Sequence, residues 1–145
     1  MKMARSPKAV LETSLYVSDL ERAMAFYQDV LGLQKIDEFP GGRGAAFQVG
    51  GGPSVLLLFD AALTLRGGMF PAHGTTGAGH VALRIEADET DAWRKRLQEH
   101  GVTIEKELVF RNNSPSLYFR DPDNNSIELA VATIWPFERS QAERR

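Results

Sequence analysis

The sequence of 145 residues predicts an α+β fold made of two copies of a βαβββ unit, with curved mixed sheets around a shared cavity. Three observations predict it. Residues 11–17 (LETSLYV) alternate as a half-buried strand does, and residues 79–85 (GHVALRI) repeat the pattern at a shift of 68. A helical stretch ending at a glycine follows each strand. Finally, residues 47–54 (FQVGGGPS) align with residues 119–126 (FRDPDNNS) at a shift of 72, so the second copy has gained four residues in its middle.

The elements follow in order. Ser18-Asp19-Leu20-Glu21 reads as a capping box, with Ser18 as cap and Glu21 reaching back. The helix it opens carries Leu20, Met24, Tyr27 and Leu31 at helical spacing and stops at Gly32. The second helix runs from about Asp88 to His100, with Ala92, Trp93 and Leu97 apolar, and stops at Gly101. Trp93, Phe26 and Tyr27 read as core on helices that back the sheets. Leu33 and Val102 open the next strands. In each copy a Gly- or Asn-rich turn joins the last two strands as a hairpin, and the glycines at 41–42 and 50–52 lead into no helix, so they are turns rather than phosphate loops. The chain therefore divides as one domain, 1–145, with module one at about 10–60, a linker at about 61–78, module two at about 79–132 and a charged tail at about 133–145.

Composition narrows the function. There is no cysteine, which excludes disulfides and thiolate metal sites. Net charge is −2 with both signs interspersed, so no basic footprint for nucleic acid or an anionic membrane exists. No apolar run reaches the ~20 residues that span a bilayer, and no apolar stretch follows the basic start as a signal peptide requires. The expectation is a cytoplasmic protein that binds a small molecule.

Strands one and four of such a unit can lie side by side, with side chains of one parity on one face. The repeat places Glu12 on His80, and at a shift of 72 it places Leu56 on Glu128. Two facing units would offer Glu12, His80 and Glu128 around a centre, with Leu56 in the fourth place. Two carboxylates and an imidazole suit Mn²⁺, Fe²⁺, Zn²⁺ or Ni²⁺ and leave positions open for a chelating substrate. Each residue has a plainer alternative: a rim histidine for His80 and a solvent-facing carboxylate for Glu128.

The stretches LYVSDLERAMAFY (15–27), VLGL (30–33), GHVA (79–82) and YFRDPDNNSIEL (118–129) resemble the vicinal oxygen chelate superfamily, which holds glyoxalase I, the bleomycin- and fosfomycin-resistance proteins and the extradiol dioxygenases. The resemblance covers residues 10–131. It implies metal ligands at positions 12, 56, 80 and 128, which read Glu12, Leu56, His80 and Glu128 here. Leu56 departs from the four-ligand glyoxalase pattern and Glu12 from the commoner His or Gln. The implied function is a metal-dependent lyase, isomerase or dioxygenase, or else a metal-free drug-binding protein, working as a homodimer.

Glu128, His73 and Tyr118 are the catalytic candidates. His73 sits in the Gly-rich linker, as an acid, base or substrate contact or as an ordinary exposed loop histidine. Tyr118 can point a hydroxyl donor into the cup or pack. Arg111 can bind a substrate carboxylate or phosphate in bidentate fashion or lie in a solvated loop. The DPDNN stretch at 121–125 is a turn, since the further ligands of a calcium loop are missing.

Overall fold

A computed structural model describes residues 3, 4 and 6–137. The charged end of the predicted tail, 138–145, lies outside the described residues. The order of elements is β1 (Glu12–Val17), α1 (Leu20–Asp29), β2 (Gln34–Phe39), β3 (Gly44–Val49), β4 (Ser54–Asp60), α2 (Ala61–Thr64), β5 (His80–Arg84), α3 (Thr90–Glu99), β6 (Lys106–Phe110), β7 (Ser114–Arg120) and β8 (Ser126–Ala130). The chain forms two compact units, Met1–Gly79 with Pro122–Asn125, and His80–Asp121 with Ser126–Arg145. Each holds a four-stranded mixed sheet, ordered β1-β4-β3-β2 in the first and β5-β8-β7-β6 in the second. In both, the first and last strands of the βαβββ unit lie side by side, as expected, and pair in parallel.

In the first unit, Leu15, Val17, Ala45, Phe47, Leu56 and Leu58 are buried on the face that α1 covers with Ala23, Met24 and Tyr27. The Tyr27 and Phe47 rings lie 6.2 Å apart there. In the second unit, Leu117, Phe119, Ile127 and Leu129 form the matching buried layer with Leu97 of α3. Burial of Leu-sized side chains contributes roughly 1.5–3 kcal/mol each and fixes strand parity, because a one-residue slip would turn the whole layer to solvent.

Helix ends correct two expectations. The N-cap of α1 is Asp19, whose carboxylate accepts from the Arg22 backbone N–H, not Ser18. Ser18 instead gives both its backbone N–H and its hydroxyl to Asp123 Oδ1, at 2.8 and 2.5 Å. The second helix starts at Thr90, two residues later than predicted, because residues 87–89 form a separate 3-10 turn with its own capping box from Glu86 and Glu89. Gly32 and Gly101 do end the helices, each in the left-handed region that favours glycine. Of the residues read as core, Tyr27 is fully buried, whereas Phe26 and Trp93 are only partly so. The linker is not featureless. Asp60 caps the short α2, accepting from Ala62 and Leu63, and residues 65–79 then run back to β5.

The strand registers revise the repeat. Phe47 pairs with Leu56 whereas Phe119 pairs with Ile127, so the shift of 72 holds for β3 and β7 and drops to 71 for β4 and β8. The turn in the first copy is one residue longer: six residues separate the paired Gln48 and Val55, and five separate Arg120 and Ser126. The counterpart of Glu128 is therefore Leu57, not Leu56. Leu56 is 1% exposed on the helix side, and Leu57, 7% exposed, stands on the opposite face with Val55 and Phe59.

Candidate functional site

On the sheet face of the second unit away from α3, His80, Ala82 and Arg84 of β5 lie beside Ser126, Glu128 and Ala130 of β8. Ser116 and Tyr118 of β7 stand on the same face. Glu128 is only 5% exposed, and a buried carboxylate demands partners. It has them. The hydroxyl of Ser116, itself 1% exposed, donates to Oε1 at 2.7 Å. His80 Nε2 lies 3.4 Å from Oε2, and the His80 ring stacks 6.5 Å from that of Tyr118. Burial first, and then the hydrogen bond and charge of Glu128, push the Tyr118 hydroxyl up to about 12.

The tautomer of His80 follows from its other nitrogen. Nδ1 lies 3.0 Å from the Ser126 carbonyl oxygen, which can only accept, so Nδ1 carries a proton. In the neutral ring Nε2 then presents a lone pair to a carboxylate oxygen. Two acceptors facing each other need a shared cation. A proton bridging imidazolium and carboxylate draws the heavy atoms to about 2.7–2.9 Å. Two donors about 2.1 Å from one tetrahedral ion stand roughly 3.4 Å apart. At 3.4 Å the two atoms form an ion pair when the ring is protonated and a pair of donors able to share a cation when it is neutral. The bond from Nδ1 to a backbone carbonyl is also the arrangement that orients metal-binding histidines.

The other candidates fall elsewhere. Glu12 is exposed at the head of β1 in the first unit, in register with Val55. Among the described residues no three His, Asp or Glu side chains form a group able to hold a metal ion. His73 is not the exposed loop residue that was the plainer expectation. It is half-buried, with Nδ1 2.6 Å from the Tyr16 hydroxyl and its ring edge-on to Phe59 at 4.9 Å. Arg111 is exposed, in a tight turn whose next two residues, Asn112 and Asn113, have positive φ.

Sequence reading missed Ser116 altogether. A serine flanked by Pro115 and Leu117 carries no motif, and only its register opposite Ala130, next to Glu128, reveals its role. The same positions in the first unit are stripped of chemistry: Gly44 replaces Ser116, Ala46 replaces Tyr118 and Leu57 replaces Glu128. Ala46, Leu57 and Phe59 form an apolar cluster there, joined by Tyr16, Phe39 and Val55.

The alkaline behaviour of Tyr118 gives a direct check of the cluster. The folded state holds the phenolic proton more tightly than the unfolded chain, whose tyrosines titrate near 10. Tyr118 therefore adds stability below about pH 10 that is lost as pH rises toward 12. An ultraviolet absorbance titration is expected to show a step near 12 that Tyr118→Phe removes and Glu128→Gln moves down. An unchanged step in Tyr118→Phe would assign it to another tyrosine.

Comparison with known proteins covers nearly the same span as the repeat. The family model of the Glyoxalase/Bleomycin resistance protein/Dioxygenase superfamily matches residues 9–129. The crystal structure of a lactoylglutathione lyase from Agrobacterium tumefaciens is 37% identical with a TM-score of 0.84, covering 92% of this chain and 100% of that one. TnmS3, an antibiotic binding protein from Streptomyces sp. CB03234, is 30% identical with a TM-score of 0.67, covering 88% and 98%. The glutathione transferase FosA of Serratia marcescens is 28% identical over 121 residues, 83% of this chain and 79% of its own length.

Proposed function

This chain belongs to the Glyoxalase/Bleomycin resistance protein/Dioxygenase superfamily, and from that premise we propose that it is a divalent-metal-dependent enzyme, a lyase, isomerase or ring-cleaving dioxygenase. Its substrate is a small molecule offering two adjacent oxygens. The observation that carries this reading is the fixed His80 tautomer, with Nε2 facing Glu128 Oε2 at 3.4 Å. In this reading His80 and Glu128 are two ligands of the ion, and Glu12 holds on β1 the position that His80 holds on β5. Nitrogen and oxygen donors without sulfur suit Mn²⁺, Fe²⁺, Zn²⁺ or Ni²⁺. Such an ion, when bound, stabilises negative charge developing on the substrate oxygens.

The remaining roles belong to the chain itself. Tyr118 keeps its proton throughout the physiological range, so it serves as a hydrogen-bond donor to an anionic oxygen and not as a base. Ser116 holds Glu128 by one oxygen and leaves the other facing His80. His73, braced by Tyr16, is the acid–base candidate of the first unit, and Arg111 a contact for an anionic substrate group. Leu57, at the place that matches Glu128, offers no donor, so the first unit has no counterpart of the His80–Glu128 pair. No helix among the described residues is long and apolar enough to cross a membrane. A cytoplasmic homodimer is part of the same proposal.

One observation favours a second reading. The apolar face of Tyr16, Phe39, Val55, Leu57 and Phe59 suits a metal-free protein that sequesters an antibiotic, as the name of TnmS3 describes that relative. Calorimetric titration of chelator-stripped protein with Mn²⁺, Fe²⁺, Zn²⁺ and Ni²⁺ separates the two. The metal reading expects about one ion per chain, with His80→Ala weakening it by at least about tenfold, because water replaces an imidazole ligand. If no ion binds wild type more tightly than His80→Ala, the sequestering reading replaces it.

A further inference from the structure

A cavity of about 240 Å³ opens in the second unit at the end of β5. Ala82, Leu83 and Arg84 of β5 line it, with Ala130 and Val131 at the end of β8, and Ala132, Ile134, Trp135 and Phe137 of the segment that follows. This segment falls in the stretch that composition marks as a charged tail. The structure instead turns it through a 3-10 turn at Ala132–Ile134 and sets two aromatic side chains against the sheet edge.

Three features define an occupant. Arg84 provides a guanidinium, which binds carboxylates bidentately. Trp135 and Phe137 are 61% and 72% exposed, far more than packed aromatic side chains, and they supply faces for a flat apolar group. The volume is below the ~300–1,000 Å³ of drug-sized sites, which suits one ring and its carboxylate. Ala82, Arg84 and Ala130 of its lining stand on the same sheet face as His80 and Glu128. Ala82 lies between His80 and Arg84 on β5 and is in register with Glu128, while Ala130 is in register with Arg84. Both are alanines, so no large side chain walls the cavity off from Glu128.

We propose that this cavity binds a small aromatic carboxylate, with Arg84 on the carboxylate and Trp135 and Phe137 on the ring. If the metal reading is right, it takes the acidic, ring-bearing end of the substrate whose oxygens reach His80 and Glu128. Binding at Arg84 does not itself need the ion, so it can be tested without it.

The experiment uses the full chain, stripped of metal, with benzoate and phenylacetate as probes and benzyl alcohol as the neutral control. The protein has two tryptophans, so Trp93→Phe leaves Trp135 as the only indole. Benzoate or phenylacetate is expected to bind saturably by calorimetry and to change Trp135 fluorescence, with benzyl alcohol at least about tenfold weaker. In the Trp93→Phe background Arg84→Met is expected to lose about ten- to a hundredfold in affinity. Arg84→Lys should fall between, since an ammonium keeps the charge and loses the fork. Thermal melting of each variant checks that the fold persists. The proposal is overturned if neither acid binds saturably, if benzyl alcohol binds equally well, or if folded Arg84→Met binds as wild type does. It is also overturned if Arg84→Met leaves acid binding intact but dissolves a dimer by sedimentation, because the patch is then an interface between copies. A failure of metal to bind, with benzoate still bound through Arg84, would remove the metal reading and leave this one standing.

Discussion

Leu56→Glu is expected to unfold the protein at room temperature, whereas Leu57→Glu, one residue along the same strand, is expected to destabilise it less. Leu56 is 1% exposed and faces the layer packed under α1. A carboxylate there has no partner, and the loss of a core leucine alone costs roughly 2–5 kcal/mol before the burial of a polar group is added. That total rivals the whole stability of an ordinary domain, about 5–15 kcal/mol. Leu57 faces the other way, with Ser14 beside it in register. Leu57 is 7% exposed in a smaller apolar cluster, so a glutamate there loses less packing and lies nearer water, although Gly44 gives it no counterpart of the Ser116 donor. Urea denaturation of the two variants decides the point. Equal loss of stability would overturn the register that makes Leu57 the counterpart of Glu128.

On the metal reading, Ser116→Ala is expected to lower metal affinity by roughly ten- to a hundredfold, as loss of a hydrogen bond that orients a ligand commonly does. Without the hydroxyl, Oε1 of Glu128 loses its 2.7 Å donor in a place water scarcely reaches. An unsatisfied buried acceptor costs about 1–3 kcal/mol, more when charged, so a fall in thermal stability of the metal-free protein should accompany the weaker binding. Ser116→Thr, which keeps the hydroxyl, should restore part of both. Wild-type metal affinity in a folded Ser116→Ala would show that Glu128 is positioned by something else.

The two outcomes depend on facts of different origin, and the strand β4 shows why. Its sequence, Ser54-Val55-Leu56-Leu57-Leu58-Phe59, is apolar on both faces, so a period of two has no phase to reveal. The turn before it is Gly50-Gly51-Gly52-Pro53, and glycines give no side-chain pattern by which an extra residue could be noticed. Alignment without a gap therefore put Leu56 opposite Glu128. Hydrogen-bond register, which closes the hairpin between Gln48 and Val55, moved the position to Leu57. On β8, by contrast, a glutamate between Ile127 and Leu129 announced which face is which.

The cap of α1 failed for a related reason. Ser18 and Asp19 are both good N-caps, and local sequence cannot rank two adjacent candidates when a distant group competes for one of them. Asp123, far along the chain, takes the Ser18 hydroxyl and backbone N–H, and Asp19 is left with the helix. His73 was placed among loop residues for want of any local signal. Its half-buried position comes from Tyr16 and Phe59, strand residues that the linker meets only once folded.

The sequence by itself determined the two βαβββ units, the adjacency of their first and last strands, and the polar residues His80, Glu128 and Tyr118 on the second sheet. These follow from periodicity, glycine stops and internal repetition, which are local properties of the chain. Tertiary structure decided the strand register that makes Leu57 the partner position. It also decided the Ser116 hydrogen bond on Glu128, the tautomer of His80 and the cavity at Arg84. Each of those depends on which atoms of separate strands come within about 3 Å of one another. Hydrogen bonds between distant residues set that, and a one-dimensional pattern does not contain it.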